Sequence, residues 1–163
     1  MVNSRQKGHK AELLVINMLE RHTQLPFQQT PGSGSGKIKG DIYLEHHKNV
    51  FCIEVKFYKD DAISTKVFTN KSNNFVQWWA KIVQQAEDSK LEPLLFFKAN
   101  HAQFFVATRR KPSVIERYMY ISWLDAYICL AEKWLELEQI GFTNGKTIYR
   151  PWEAPGERES TDS

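Results

Sequence analysis

Two stretches of alternating hydrophobic and polar residues lie on either side of a short polar turn. They cover residues 41–45 and 50–56, and the turn between them reads His-His-Lys-Asn. Alternation with a period of two predicts two β-strands joined as an antiparallel hairpin. If the turn is centred in its four polar residues, Ile42 pairs with Ile53.

This register places two carboxylates opposite each other. Asp41 and Glu54 then share one face, with Cβ atoms roughly 5 Å apart, and Lys56 follows one pleat further along the same face. Because like charges across a ladder repel, the pair favours a cation between them, and Mg²⁺ takes oxygen ligands of this kind. A Glu-X-Lys sequence alone is more often the solvated face of a sheet, so the interpretation depends on the facing Asp41.

A third acidic residue lies in the first helical segment. Helical spacing runs from Ser4, a predicted N-cap, to about His22, and the following Leu-Pro pair ends it. Glu12 shares its face with three apolar residues further along the helix, which are Val15, Ile16 and Leu19. A charge that faces a core is costly without a partner, so Glu12 is expected to join the other polar residues.

The remaining hydrophobic patterns complete an α/β arrangement. Residues 73–89 have the stripe of an amphipathic helix, and residues 94–97 and 103–107 read as paired strands. Residues 122–139 alternate aromatic and aliphatic side chains at helical spacing, and 141–150 can add a strand or a hairpin with an Asn-Gly turn. The pattern predicts a central mixed β-sheet flanked by helices, with an added C-terminal helix.

Composition sets the domain organisation. The 163 residues are 42% hydrophobic and 13% aromatic, which suits one core, and we expect a single domain over 1–150. Residues 151–163 carry four acidic residues and one arginine and are predicted to be a disordered acidic tail. The rest of the chain holds 21 basic and 15 acidic residues. This moderate positive charge suits a phosphate-binding surface without requiring one.

The two cysteines and the lack of long apolar runs indicate the compartment. Cys52 falls on a predicted strand and Cys129 in an apolar run, without the spacing of a zinc site. No signal peptide and no run of about 18 apolar residues is found. We therefore expect a cytoplasmic protein with no membrane contact.

Four segments, taken in order, resemble the archaeal-type Holliday junction resolvases of the PD-(D/E)XK nuclease superfamily. They are Lys7-Gly8-His9-Lys10-Ala11-Glu12, the loop Pro31-Gly32-Ser33-Gly34-Ser35-Gly36, Asp41, and Cys52-Ile53-Glu54-Val55-Lys56. The resemblance covers residues 5–61 and extends more loosely to about 108, and it implies a restriction-endonuclease-like core. Departures occur at Gly40, where the superfamily has proline, at Leu13, where such resolvases can carry arginine, and at Gln29 and Thr30, where they can place a basic residue.

The resemblance implies roles for particular residues. Asp41, Glu54 and Glu12 would bind metal, with the backbone carbonyl of Val55 as a further ligand, and Lys56 would assist the attacking water. Ser33 and Ser35 would lie in a mobile loop near the scissile phosphate. The basic residues beside these motifs are expected to bind DNA, and they are Arg5, Lys7, Lys10, Lys37, Lys39 and Lys59.

The expected function is that of a Mg²⁺-dependent endonuclease that resolves four-way DNA junctions as a homodimer, with Mn²⁺ as a possible substitute ion. The apolar faces of residues 73–89 and 122–139 provide the predicted dimer surface. Two alternatives remain open from the sequence. One is a restriction- or repair-type endonuclease that cuts duplex DNA with the same core, and the other is a DNA-binding module that has lost turnover.

Overall fold

The computed structural model describes residues 4–31 and 40–143. Predictions for Ser33, Ser35, Lys37, Lys39, the acidic tail and residues 144–150 of the 141–150 strand or hairpin lie outside the described residues. The helices are α1 (Ser4–Thr23), α2 (Asn74–Ser89) and α3 (Ala131–Leu137). The strands are β1 (Phe27–Gln29), β2 (Ile42–Leu44), β3 (Phe51–Tyr58), β4 (Glu92–Ala99), β5 (Phe105–Thr108), β6 (Met119–Ile121) and β7 (Ala126–Leu130).

The described strands form one mixed sheet. Its order is β1-β2-β3-β4-β5-β7-β6. Only the β3 and β4 pair of this sheet is parallel, and α2 makes the crossover between these two strands. One core cluster includes side chains of α1 and α3, and the other includes those of α2. The predicted α/β fold with a central mixed sheet is therefore confirmed.

The predicted hairpin register is also confirmed. Ile42 is the partner of Ile53 across β2 and β3. Asn49 closes the turn, because its side chain accepts a hydrogen bond from the Leu44 N–H at 2.8 Å and donates one to the Leu44 carbonyl at 3.0 Å. His46 has a φ of 61°, a left-handed conformation that turns often need. The turn chemistry therefore fixes which side chains of β2 and β3 share a face.

Helix α1 packs the expected stripe onto the sheet. Val15, Ile16 and Leu19 are buried beside β3, whereas Glu12 is half-buried. Ser4, the predicted cap, is itself helical. The helix ends at Gln24, whose φ is 59° and whose N–H donates to the Glu20 carbonyl.

Helix α2 closely matches the prediction. Asn73 caps it by accepting a hydrogen bond from the Val76 N–H, and Lys90 ends it in a left-handed conformation. The stripe is buried at Phe75, Trp79 and Ile82. This places α2 against the face of β3 and β4 that carries Glu54.

The predicted long helix over 122–139 is wrong. The chain forms a 3-10 turn over Ser122–Leu124, then β7, then the seven-residue helix α3. Residues 126–130 read Ala-Tyr-Ile-Cys-Leu, which also has the β-branched and aromatic content of a strand. Pairing with β5 on one side and β6 on the other satisfies their backbone groups, and this long-range pairing overrides the helical spacing.

This correction changes half of the predicted dimer surface, because residues 122–139 do not form one helix face. Trp134 of α3 is 1% exposed and packs in the core, whereas Trp123 is 51% exposed. The short strands β1 and β6 were not predicted at all. Cys52 and Cys129 are both buried. None of the described helices has the length and apolar character to span a membrane.

Candidate active site

Asp41 is held in place at the start of β2 by three hydrogen bonds. Its N–H donates to the Ile53 carbonyl at 2.6 Å, and its own carbonyl accepts from the Thr30 N–H at 2.9 Å. Its Oδ2 accepts from the Val55 N–H at 2.8 Å. The side chain therefore has a fixed direction towards β3, and one carboxylate oxygen is left for other contacts.

Gly40 precedes Asp41 at a position that only glycine fits well. Its φ is +88°, and a Cβ added there would lie 2.6 Å from the Ile53 carbonyl oxygen. Proline cannot adopt this conformation because its ring fixes φ near −65°. The departure from the superfamily's proline is thus the local solution that lets β2 approach β3 closely at the site.

We expect Gly40→Ala to destabilise the fold by about 2 kcal/mol or more, because the new Cβ meets backbone in a strained conformation. Gly8→Ala is the matched control. Gly8 lies within α1 and a Cβ there meets nothing within 4 Å, so this change should stabilise by about 0.5–1 kcal/mol. Urea unfolding of both variants measures the difference, and equal stability of the two would contradict the close approach at Gly40.

Glu54 is the buried acid of the site. It is 8% exposed on β3. Burial raises the pKa of its carboxyl to about 8, and the charge of Asp41 and a hydrogen bond with that side chain act in the same direction. Lys56 and Lys81 oppose the shift. Asp41 and Glu54 are therefore close enough to repel each other when both are ionised, as the predicted register requires.

Glu12 approaches the same site from α1. Burial raises its pKa, as does the nearby charge of Asp41, whereas Gln29, His9 and Lys56 act to lower it. The Gln29 side-chain nitrogen donates to Glu12 Oε2 at 2.9 Å and lies 3.0 Å from His9 Nδ1. Gln29 thus joins Glu12 to His9, a contact that the sequence did not predict.

The carboxylates do not form a complete metal cage by themselves. Within residues 4–31 and 40–143, no group of three or more His, Cys, Asp or Glu side chains meets the geometry of a metal site. Asp41 and Glu54 nevertheless have the chemistry that suits a divalent ion, because two neighbouring carboxyls that disfavour joint ionisation gain from a cation between them. The assignment of metal ligands stays a prediction for Asp41, Glu54, Glu12 and Val55. The role of Lys56 at the attacking water also stays a prediction.

The structure describes four of the predicted DNA-binding residues. Arg5, Lys10 and Lys59 are exposed, and Lys7 is half-buried. Lys98 of β4 was not singled out from the sequence, and it is the register partner of Phe57 on β3. Gln29 could have been suspected because it lies two residues before the glycine-serine loop.

Comparison with known proteins identifies the family of this chain. The family model described as "Phage putative PDDEXK endonuclease" matches residues 3–141. The chain belongs to this endonuclease family. The match includes Glu12, Asp41, Glu54 and Lys56, and it confirms the PD-(D/E)XK nuclease assignment.

Two individual proteins are similar to this endonuclease. Protein D14 of Escherichia phage T5 is 34% identical over 125 residues, which are 72% of this chain and 78% of that protein. A structure of Archaeoglobus fulgidus Hjc, a Holliday junction resolvase from an archaeal hyperthermophile, matches 76% of this chain and 88% of that chain, with 15% identity and a TM-score of 0.42. Similarity at that level does not assign the resolvase's activity to this endonuclease.

Proposed function

We propose that this endonuclease hydrolyses phosphodiester bonds in branched DNA with the help of Mg²⁺ or Mn²⁺, and that four-way junctions are its preferred substrate. The observation that carries the proposal is the buried Glu54 beside Asp41, with Lys56 on the same strand. Keeping two acids together in a fold has a cost in stability. Family membership supports the reaction class, and the acid pair supports this part of the sheet as the location of the reaction.

The acidic residues would hold the divalent ion. Asp41 and Glu54, together with the Val55 carbonyl, offer the hard oxygen ligands that such ions prefer. When bound, a divalent ion polarises the scissile phosphate and lowers the pKa of a bound water. The Val55 N–H contributes by anchoring one Asp41 oxygen, which leaves the other oxygen for the ion.

Lys56 and Glu12 would complete the chemistry on either side of this pair. Lys56 can orient the attacking water, accept its proton when neutral, and offset phosphate charge when protonated. Glu12 would accept a hydrogen bond from a water of the site. Gln29 keeps the Glu12 carboxylate in position.

Cleavage of three labelled DNAs of one sequence tests the proposal. Linear duplex, forked and four-way DNA are incubated with Mg²⁺ or with EDTA. We expect Mg²⁺-dependent cleavage that is fastest on the four-way junction. Equal rates on linear duplex would favour a restriction- or repair-type enzyme, and DNA binding without cleavage of any form would favour a non-catalytic module.

A homodimer is part of this proposal. Resolution of a junction needs two symmetric cuts, and each chain carries one site, so a two-fold pair is the simplest way to present two. Sedimentation at micromolar concentration without DNA should give about twice the 19.1 kDa of one chain. A monomer that cuts duplex and junction equally would contradict the resolvase proposal and leave the nuclease.

Gln29→Met should lower kcat roughly tenfold with little change in DNA affinity. Methionine keeps the shape of the side chain but cannot donate to Glu12, and a hydrogen bond to a charged group is worth enough for this effect. The pKa of Glu12 should also rise further, because the Gln29 hydrogen bond lowers it. Single-turnover cleavage and carboxyl-carbon NMR titration measure the two effects.

The neighbouring Gln28 provides the control. Its side chain donates to Glu45 on the exposed part of the hairpin, so Gln28→Met removes a similar hydrogen bond away from the site. This variant should retain the wild-type kcat. If both variants, or neither, lose activity, the positioning role of Gln29 is wrong.

A further inference from the structure

Two lysine side chains converge on one phenyl ring near the candidate active site. Lys7 Nζ lies 4.4 Å from the centroid of the Phe57 ring, and Lys98 Nζ lies 4.8 Å from the same centroid. Lys98 Nζ is also 5.4 Å from the Phe104 ring centroid. Lys7 Nζ donates a hydrogen bond to Asn100 Oδ1 at 2.8 Å. Two positive charges are thus concentrated at one place.

The fold itself creates this convergence. Phe57 and Lys98 are register partners on the parallel strands β3 and β4. Lys7 reaches the same ring from the beginning of α1, and Asn100 directly follows β4. Lys7, Lys98 and Phe57 are all half-buried, so the lysine stems are packed rather than freely moving. Less side-chain freedom is then lost when a ligand binds.

No carboxylate neutralises these two charges within the described part of the chain. Some other cations there are paired with acids: Arg21 with Glu132, Arg109 with Glu87 and Asp125, and Arg110 with Glu92. Among these described residues, Lys7 and Lys98 form no ion pair. Like charges held together without a counterion provide a site for an anion.

We propose that Lys7, Lys98 and Asn100 bind one backbone phosphate of the DNA, at a site separate from the scissile bond. This inference rests on the proposed function and deepens it. Each ammonium group has three N–H donors, and Lys7 uses one of them on Asn100. Asn100 Oδ1 accepts that bond, so the amide N–H₂ of Asn100 would supply the donor to the same phosphate.

The phosphate held here would be a different one from the phosphate that is cleaved. Phe57 follows Lys56 directly on β3, but neighbouring residues of a strand point to opposite faces of the sheet. The Phe57 ring therefore lies on the α1 face, whereas Lys56 shares the α2 face with Glu54. A contact of this kind positions the DNA backbone and does not read base sequence.

The test is DNA affinity as a function of KCl concentration, measured in EDTA so that no cleavage occurs. Lys7→Gln and Lys98→Gln remove a charge each and keep most of the stem, and the double variant combines them. Each single change should weaken binding to four-way DNA roughly tenfold and reduce the slope of log K against log salt by about 0.9, the value for one phosphate. Because one phosphate is shared, the double variant should be little worse than either single one.

Lys48→Gln is the matched control. Lys48 is exposed in the turn between β2 and β3, at the other end of β3 from Phe57, and its loss should leave affinity and slope unchanged. Lys98→Arg should keep the slope. Wild-type slopes in both single variants, fully additive losses in the double variant, or an equal loss in the Lys48 control would each overturn the shared phosphate site.

Cleavage of the same DNA in Mg²⁺ is recorded separately for the wild-type protein. If the wild-type protein cuts junctions and the variants bind DNA as tightly as it does, the phosphate site is refuted and the proposed function remains intact. If the wild-type protein cuts no DNA and the salt dependence of DNA affinity falls in the variants as expected, the proposed function is refuted and the phosphate site is supported.

Discussion

Asp41→Asn and Glu54→Gln are expected to reduce DNA cleavage at least a hundredfold, on the order of the effect of losing a main charge-stabilising group. Both changes remove negative charge from the acid pair that would hold the divalent ion. Neither removes a positive charge that contacts phosphate, so DNA affinity in EDTA should stay within about twofold, because backbone contacts dominate such binding.

Single-turnover cleavage of four-way DNA in Mg²⁺ measures the cleavage rate, and binding in EDTA measures the DNA affinity. Glu45→Gln serves as the control, because Glu45 lies on the same hairpin but bonds to Gln28 away from the site. It should cut at the wild-type rate. Wild-type rates in the Asp41 or Glu54 variant would show that the acid pair is not catalytic.

The Glu54→Gln protein should also be more stable than the wild type at pH 8.5 in the absence of divalent ions. The pKa of Glu54 is raised from 4.5 to about 8 by burial and by Asp41. The folded protein therefore holds this proton more tightly than the unfolded chain does, and wild-type stability falls as the pH rises from about 4.5 to about 8. Glutamine resembles the protonated carboxyl, so the variant should avoid a loss on the order of 3 kcal/mol.

Calorimetry in EDTA tests the direction of this stability difference. At pH 8.5 the Tm of Glu54→Gln should exceed that of the wild type by roughly 5–10 °C, and at pH 5 the difference should become small. Added Mg²⁺ should raise the wild-type Tm more than that of the variant, because ion binding offsets the same repulsion. A Glu54 variant that is less stable at pH 8.5 would contradict the buried acid pair.

The local parts of the site could be predicted because they depend on short-range rules. Strand alternation and a polar turn were enough to pair Ile42 with Ile53 and so to bring Asp41 to Glu54. The apolar stripe of α1 was enough to bury Val15 and Leu19 and to bring Glu12 towards the sheet. These outcomes follow from periodicity, which the sequence contains in full.

Other parts of the site depend on which strands become neighbours. The contact of Gln29 with Glu12 requires β1, a three-residue strand that has too little pattern to be recognised. The meeting of Lys7 and Lys98 at Phe57 requires α1 to pack across the parallel β3 and β4 pair. Pairings between residues so distant in sequence leave no periodic signal in the chain.

The sequence by itself determined the endonuclease family, the mixed α/β sheet and the pairing of the two central acids. Only the tertiary structure decided the C-terminal third, where residues 126–130 became β7 instead of part of a helix. Their side chains fit both the helical and the strand pattern. The choice of a strand depends on β5 and β6, which offer backbone hydrogen bonds on both sides. Local propensity is worth only a fraction of a kcal/mol per residue. If 126–130 were helical, the buried backbone groups of β5 that face β7 would be unpaired, at about 1–3 kcal/mol each, and so the strand prevails.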